Sequence, residues 1–115
     1  MYKKEKLNNI MRKELGQAIL KELDLSSDVV VTVTRVEVSS NGFYAKVFIS
    51  VIPGEMREEI LKTLDRNIFG LQQQLNKKLK IRPVPRIEFV KERKTEEAAK
   101  IEEILKKIKD LEKND

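Results

Sequence analysis

Two runs of β-branched and aromatic residues on either side of an Asn-Gly pair constrain the fold more than any other feature of the chain. The runs are VVVTVTRVEV and FYAKVFISVI, and Asn41-Gly42 stands between them. Such runs favour strands, and Asn-Gly is the strongest short hairpin signal because both residues tolerate the positive φ of a type I′ turn. The alternation in the second run predicts one core face, formed by Phe43, Ala45, Val47, Ile49 and Val51.

The first run changes phase along its length. Val31 and Val33 occupy odd positions, whereas Val36 and Val38 occupy even ones. A single inserted residue in one strand of an antiparallel pair produces such a change. We therefore predict a β-bulge near Thr34-Arg35.

Three segments with helical spacing of apolar residues surround the hairpin. They cover residues 4–23, 56–79 and 101–111. Thr95 is the expected N-cap of the last one. Two prolines in RPVP prevent helix after the second segment, and residues 86–90 are typical of a short strand. The predicted order is α-β-β-α-(α)-β-α, a single α+β domain with a three-stranded sheet and helices packed on one face.

The residue inventory argues against catalysis. The 115 residues include neither cysteine nor histidine, so thiol nucleophiles, the commonest general base and the commonest metal ligand are missing. Neither a glycine-rich phosphate loop nor a G-x-S-x-G motif occurs, and paired acids such as Glu58-Glu59 are expected on solvated helix faces. We expect a single cytoplasmic domain with no cofactor, metal, small-molecule substrate or membrane association, whose residues 110–115 fray.

Positive charge is concentrated in one segment. Residues 71–94 carry a net charge of +6, whereas the whole chain carries +5. A local basic segment is typical of proteins that bind nucleic-acid phosphates, and a solvated lysine-rich surface is the alternative. We expect no exposed platform for base stacking, because the chain has no Trp and because Phe43 and Phe89 are expected in the core. The basic residues of this segment are Lys77, Lys78, Lys80, Arg82, Arg86, Lys91, Arg93 and Lys94.

Gly70 interrupts the second helical segment. A glycine inside a helix costs about 1 kcal/mol relative to alanine. It therefore marks either a bend or a place where another molecule approaches the backbone. The apolar stripe passes through Gly70 in phase, so packing leaves the bend optional.

Four features in order along the chain resemble the ribosome-binding factor A family. Lys3-x-x-Lys6-Leu7 heads the first helix, and VTVTRVEVSSNGFYAKVFISV matches the family's strand pair in residue type and spacing. LKIRPVPRIEF is close to the family's L-r-L-R-x-v-P-e-L-x-F, and an amphipathic helix closes the chain. The resemblance implies a type II KH-like domain in which a helix-kink-helix carrying A-x-G replaces the RNA-gripping GXXG loop.

The chain departs from the family at this kink. Aligned without gaps, A-x-G falls on Asn67-Ile68-Phe69, and Gly70 comes one residue later. An arginine usual after the family glycine is replaced by Gln72 or Gln73. The resemblance predicts a kink within residues 67–71, at Phe69 or at Gly70.

The resemblance also implies a non-catalytic ribosome biogenesis factor. It would bind the rRNA of the immature small ribosomal subunit as a monomer and assist late rRNA processing. The rival interpretation is a basic protein-interaction or scaffold domain without specific RNA binding, and an enzyme ranks third. The implied RNA-binding residues are Asn67, Gly70, Gln72, Gln73, Lys77, Lys78, Lys80, Arg82, Arg86 and Lys91, with a second contact expected at Lys3, Lys6, Arg12 and Lys13.

Overall fold

The computed structural model describes residues 3–25, 27–92 and 96–113, with the side chains of residues 103–111 in the last helix. Arg93, Lys94 and the predicted N-cap Thr95 lie outside the described residues, as do positions 114 and 115 of the predicted frayed end. None of the described helices is long and apolar enough to cross a membrane. The elements are α1 (Lys4–Glu22), β1 (Val30–Val38), β2 (Tyr44–Ile52), α2 (Arg57–Arg66), α3 (Ile68–Lys78), β3 (Arg86–Lys91) and α4 (Glu96–Lys113).

The three strands form one sheet in the order β1-β2-β3. β1 runs antiparallel to β2, and β3 runs parallel to β2. A parallel neighbour requires a crossover, and the chain between β2 and β3 supplies it with α2 and α3. The pairing of β1 with β2 shifts register between Val33 and Arg35, which confirms the predicted bulge.

The hairpin is confirmed at Asn41-Gly42, but its turn is not type I′. Among the described residues Gly42 alone has a positive φ, of 78°, whereas type I′ requires one at both central residues. Asn41 uses its side chain instead, because Asn41 Oδ1 accepts hydrogen bonds from Ser39 Oγ at 2.6 Å and from Phe43 N at 3.0 Å. With these bonds Asn41 keeps a negative φ. Gly42, the next residue, adopts the left-handed conformation.

The core lies between one face of the sheet and the helices. α1 packs against both β1 and α3. Phe89 is half-buried against this core, as predicted, whereas Phe43 is 52% exposed and precedes β2, so its prediction as a core residue is wrong. Phe43 belongs to the turn, where side chains do not follow the alternation of the strand. The buried residues of α1 and β2 on this face are Leu7, Met11, Leu15, Ile19, Ala45, Val47, Ile49 and Val51.

The opposite face of the sheet is covered at one point. Phe48 lies there, yet it is buried, and the guanidinium of Arg35 stands 3.9 Å from the centroid of its ring. Glu92 Oε2 accepts hydrogen bonds from Arg35 Nε at 3.2 Å and from Thr34 Oγ1 at 2.6 Å. The bulge residues and Glu92 thus form a polar cluster beside the aromatic ring.

A break at Asn67 divides the second helical segment into α2 and α3. Asn67 has φ −103° and ψ 8°, outside the α-helical region, and Asn67 Nδ2 donates a hydrogen bond to Thr63 O at 2.7 Å. An asparagine amide that competes for backbone carbonyls in this way disfavours continued helix. The predicted kink is confirmed at residue 67 of the range 67–71, but Phe69 and Gly70 are wrong as its site, because both lie inside α3.

Two helix side chains hydrogen bond to backbone amides of the edge strands. Val38 N donates to Asn8 Oδ1 at 3.1 Å, and Ile87 N donates to Gln72 Oε1 at 2.9 Å. Both amides point away from β2, because the adjacent backbone N–H in each strand donates toward β2. α1 therefore holds the edge of β1, and α3 holds the edge of β3.

The described part of α4 exposes an apolar stripe. Its members are 41–67% exposed. They recur at the three- and four-residue steps of one helix face. The stripe consists of Ile104, Leu105, Ile108 and Leu111.

Candidate nucleic-acid interface

α3 presents a surface without acidic residues on the side opposite the core. Its eleven residues, IFGLQQQLNKK, include no Asp or Glu, and its two buried leucines face the core. Phe69, Gly70, Gln73 and Lys77 are exposed. Steps of three and four residues place them in one row over two turns, about 12 Å long. We call these four residues the α3 ridge.

Gly70 has open space above it. A Cβ built on Gly70 would meet no atom within 4 Å outside its own helix. The fold therefore does not need a glycine for packing at this position. Because the helix break lies at Asn67, a bend at the glycine is also excluded. The open space leaves the helix backbone at Gly70 accessible to another molecule.

A groove beside the α3 ridge gathers residues from three elements. It is open, has a volume of about 330 Å³ and is lined by Gln72, Asn76, Arg82, Val84 and Arg86. α3, the proline-containing loop and β3 each contribute to it. The structure thus brings together three of the predicted site residues, Gln72, Arg82 and Arg86. We call this surface the α3–β3 groove.

Gln72 has a structural role that the sequence pattern did not indicate. Gln72 Nε2 donates to Pro85 O and to Asn76 Oδ1, both at 3.1 Å, and Gln72 Oε1 accepts from Ile87 N. This half-buried amide therefore fixes the start of β3 against α3. The exposed Gln73 lies on the α3 ridge and is free to face a ligand.

Replacing Gln72 by leucine is expected to lower the free energy of unfolding by about 1–3 kcal/mol. Leucine has a similar size but leaves the partly buried amide of Ile87 without an acceptor, and an unsatisfied buried donor costs about that much. Gln73→Leu is the matched control and should change stability by less than about 0.5 kcal/mol, because its site is exposed. Urea denaturation followed by circular dichroism measures both. Equal effects would contradict the bridging role of Gln72.

Two of the predicted cations are engaged within the protein. Arg82 Nη1 donates to Leu79 O at 3.0 Å and to Ile81 O at 2.6 Å, just after the end of α3. A cation at this end also complements the helix dipole. Lys91 pairs with the exposed carboxylate of Glu58. Both cations therefore have partners before any ligand binds.

Three other cations are available to a ligand. Lys77, Lys80 and Arg86 are exposed, and their side chains form no ion pair with the residues that the structure describes. Lys77 ends the α3 ridge, Lys80 follows α3, and Arg86 lines the α3–β3 groove. No carboxylate of the described residues therefore compensates the charges of these three side chains.

The remaining predicted cations lie apart from the α3 ridge. Lys78 lines a hollow between α3 and α1 with Lys21. Arg12 lies beside Arg35 near the bulge. Lys4, which the sequence did not single out, lines a hollow of about 820 Å³ with Arg86 at the end of the sheet. Arg12 belongs to the predicted second contact, together with Lys3, Lys6 and Lys13. These four exposed cations are spread along α1 and the residue before it.

Exposed aromatic residues are present, contrary to expectation. Phe69 is 75% exposed and Tyr44 is 60% exposed, in addition to Phe43. The position of Phe69 on the helix face opposite the buried leucines is the signal that could have shown its exposure.

No group of three or more acidic residues in the described ranges could hold a metal ion.

Comparison with known proteins identifies sequence relatives over nearly the whole chain. A family model described as ribosome-binding factor A matches residues 3–105. The ribosome-binding factor A of Coprothermobacter proteolyticus is 31% identical over 113 residues, which cover 98% of this chain and 80% of that protein. The ribosome-binding factor A of Halothermothrix orenii is 32% identical over 111 residues, which cover 96% of this chain and 91% of that protein.

Solved structures resemble the fold. The crystal structure of ribosome-binding factor A from Thermus thermophilus has a TM-score of 0.68 and 26% identity and covers 77% of this chain and 94% of its own. The solution structure of a putative ribosome-binding factor A from Thermotoga maritima has a TM-score of 0.67 and 30% identity. It covers 78% of this chain and 87% of its own. A homology model of the Thermus thermophilus protein was fitted into a cryo-EM map of its complex with the 30S particle. This model has a TM-score of 0.64 and 25% identity, and it covers 76% of this chain and 93% of its own.

Proposed function

The chain belongs to the ribosome-binding factor A family, and on that premise we propose that it binds the rRNA of immature small ribosomal subunits and assists late rRNA processing without catalysis. The relatives are named for ribosome binding, and one structural neighbour was fitted into a complex with the 30S particle. A protein that occupies rRNA while its helices reach their final positions can assist processing by binding alone.

The observation that carries this proposal is the acid-free α3 ridge beside the α3–β3 groove. Lys77, Arg82 and Arg86 come from three different elements and lie along this surface. Lysine and arginine neutralise phosphates and release their counterions, which supplies most of the affinity for a nucleic-acid backbone. Gly70 exposes helix backbone, and Gln73 offers a side-chain amide. Both groups allow closer contacts with the RNA.

One observation favours the rival function, a protein-interaction or scaffold domain. The exposed apolar stripe of α4 is the kind of surface that binds another protein. Apolar contact of this kind depends little on salt, whereas phosphate binding depends on it steeply. Salt dependence therefore distinguishes the two functions.

Cosedimentation with purified small subunits tests the proposal. We expect tighter association with immature than with mature particles. We also expect the logarithm of the association constant to fall with the logarithm of salt concentration at a slope of about −2, since the three available cations Lys77, Lys80 and Arg86 each contribute about −0.7 on single-stranded RNA. Absence of binding to immature particles, or binding that salt does not weaken, would contradict the proposal and favour the scaffold function.

A further inference from the structure

Phe69 exposes an aromatic ring at the start of the α3 ridge. Its side chain is 75% exposed and is not part of the core cluster. Aromatic side chains ordinarily contribute large buried areas to cores and interfaces. Here the ring stands in solvent directly beside Gly70, above which there is open space. A flat apolar face therefore adjoins bare helix backbone.

The neighbours of Phe69 on the α3 ridge are polar or cationic. Gln73 lies one turn further along the helix and Lys77 lies two turns further. The flank toward β3 carries the α3–β3 groove with Arg82 and Arg86. Proteins that hold single-stranded nucleic acid combine cations along the backbone with aromatic rings on which bases stack. The α3 ridge has this combination within two helical turns.

We propose that Phe69 stacks on an unpaired base of an RNA segment lying along the α3 ridge. The inference rests on the proposed rRNA binding and adds to it the chemistry of the ligand, an unpaired nucleotide, and the residue that holds its base. Gly70 lets the sugar-phosphate backbone approach the helix, and Lys77 neutralises a phosphate further along the strand.

The surroundings of Phe69 favour RNA over an apolar protein partner. Its ridge neighbours include no other apolar side chain, and α3 contains no acid that would repel phosphate. Double-stranded RNA is a poorer occupant, because its bases already stack on one another within the duplex and their faces are covered. The occupant that matches both the ring and the charges is a single-stranded segment.

Four variants of the full chain test the role of Phe69 in binding to purified immature small subunits. Phe69→Ala and Phe69→Leu are expected to weaken binding about 5- to 100-fold, because each removes the ring. Phe69→Trp should remain within about threefold of the original chain, since it keeps a stacking face. Leu20→Ala is the matched control for loss of an exposed apolar side chain, because Leu20 is 76% exposed on α1, and it should bind normally.

Two further readouts separate stacking from other effects. None of the three Phe69 variants should change the urea midpoint appreciably, because the site is exposed. The slope of binding against salt should also stay the same, because no charge is removed. Phe69→Leu binding as tightly as the original chain would overturn stacking in favour of simple apolar contact.

The outcomes also separate this inference from the proposed function. If the original chain binds immature subunits with steep salt dependence and Phe69→Ala binds equally well, stacking fails and rRNA binding stands. If the original chain does not bind at all, the proposed function fails, and the stacking role fails with it.

Discussion

Reversing three exposed cations together, as Lys77→Glu, Lys80→Glu and Arg86→Glu, is expected to weaken association with small ribosomal subunits about 100-fold at 0.1 M salt. Each lost contact to a phosphate of single-stranded RNA removes about 0.7 from the salt slope, so three contacts remove about 2, which is about two decades at 0.1 M. The three side chains form no ion pairs with described residues, so their reversal should leave the fold intact. Arg82 and Lys91 are less suitable, because both have partners within the protein.

Sedimentation over a range of salt concentrations measures this loss and the change in slope. The matched control is Lys21→Glu, Lys62→Glu and Lys106→Glu, which makes the same change in net charge at exposed positions outside the α3 ridge and the α3–β3 groove. The control should retain most of the affinity. An equal loss in both triple variants would show that net charge alone, and not the candidate surface, governs binding.

Leu15→Ala is expected to lower the free energy of unfolding by about 2–5 kcal/mol. Leu15 is fully buried on α1, the helix that packs against both β1 and α3, and truncation of a buried leucine loses transfer free energy and leaves a cavity. Domains of this size are stable by only about 5–15 kcal/mol, so the loss is a large fraction of the total.

Urea denaturation measures the effect of Leu15→Ala, and Leu20→Ala provides the comparison on the same helix. Leu20 is exposed, so its truncation should change stability by less than about 0.5 kcal/mol. Similar losses from the two variants would mean that α1 does not bury the predicted face.

Features set by short-range patterns were predictable from the sequence. The phase change in β1 predicted the bulge, and the Asn41-Gly42 pair predicted the hairpin, because both signals depend on residues close together in the chain. The type of turn was not predictable, because Asn41 could either adopt a positive φ or use its side chain as an acceptor, and only the folded loop with Ser39 shows which.

Two further features were not predictable, the position of the kink and the bonding of Gln72. The glycine and the family pattern favoured Phe69 or Gly70 as the kink, whereas the competing hydrogen bond of Asn67 with Thr63 places it earlier. The basic segment indicated the candidate surface. It could not show that Gln72 is bonded to β3, because that contact joins residues far apart in the sequence.

The edge contacts of Asn8 and Gln72 also protect the sheet against pairing with foreign strands. Outward-facing amides on an edge strand are a template for aggregation and for partners that add a strand of their own. Here a helix side chain accepts the hydrogen bond of one such amide on each edge, at Val38 and at Ile87. The bulge also interrupts the regular geometry of β1. A strand that paired along β1 as far as Val38, or along β3 from Ile87, would have to displace a helix contact. The two helices thus guard the two edges at the end of the sheet where β1 ends and β3 begins.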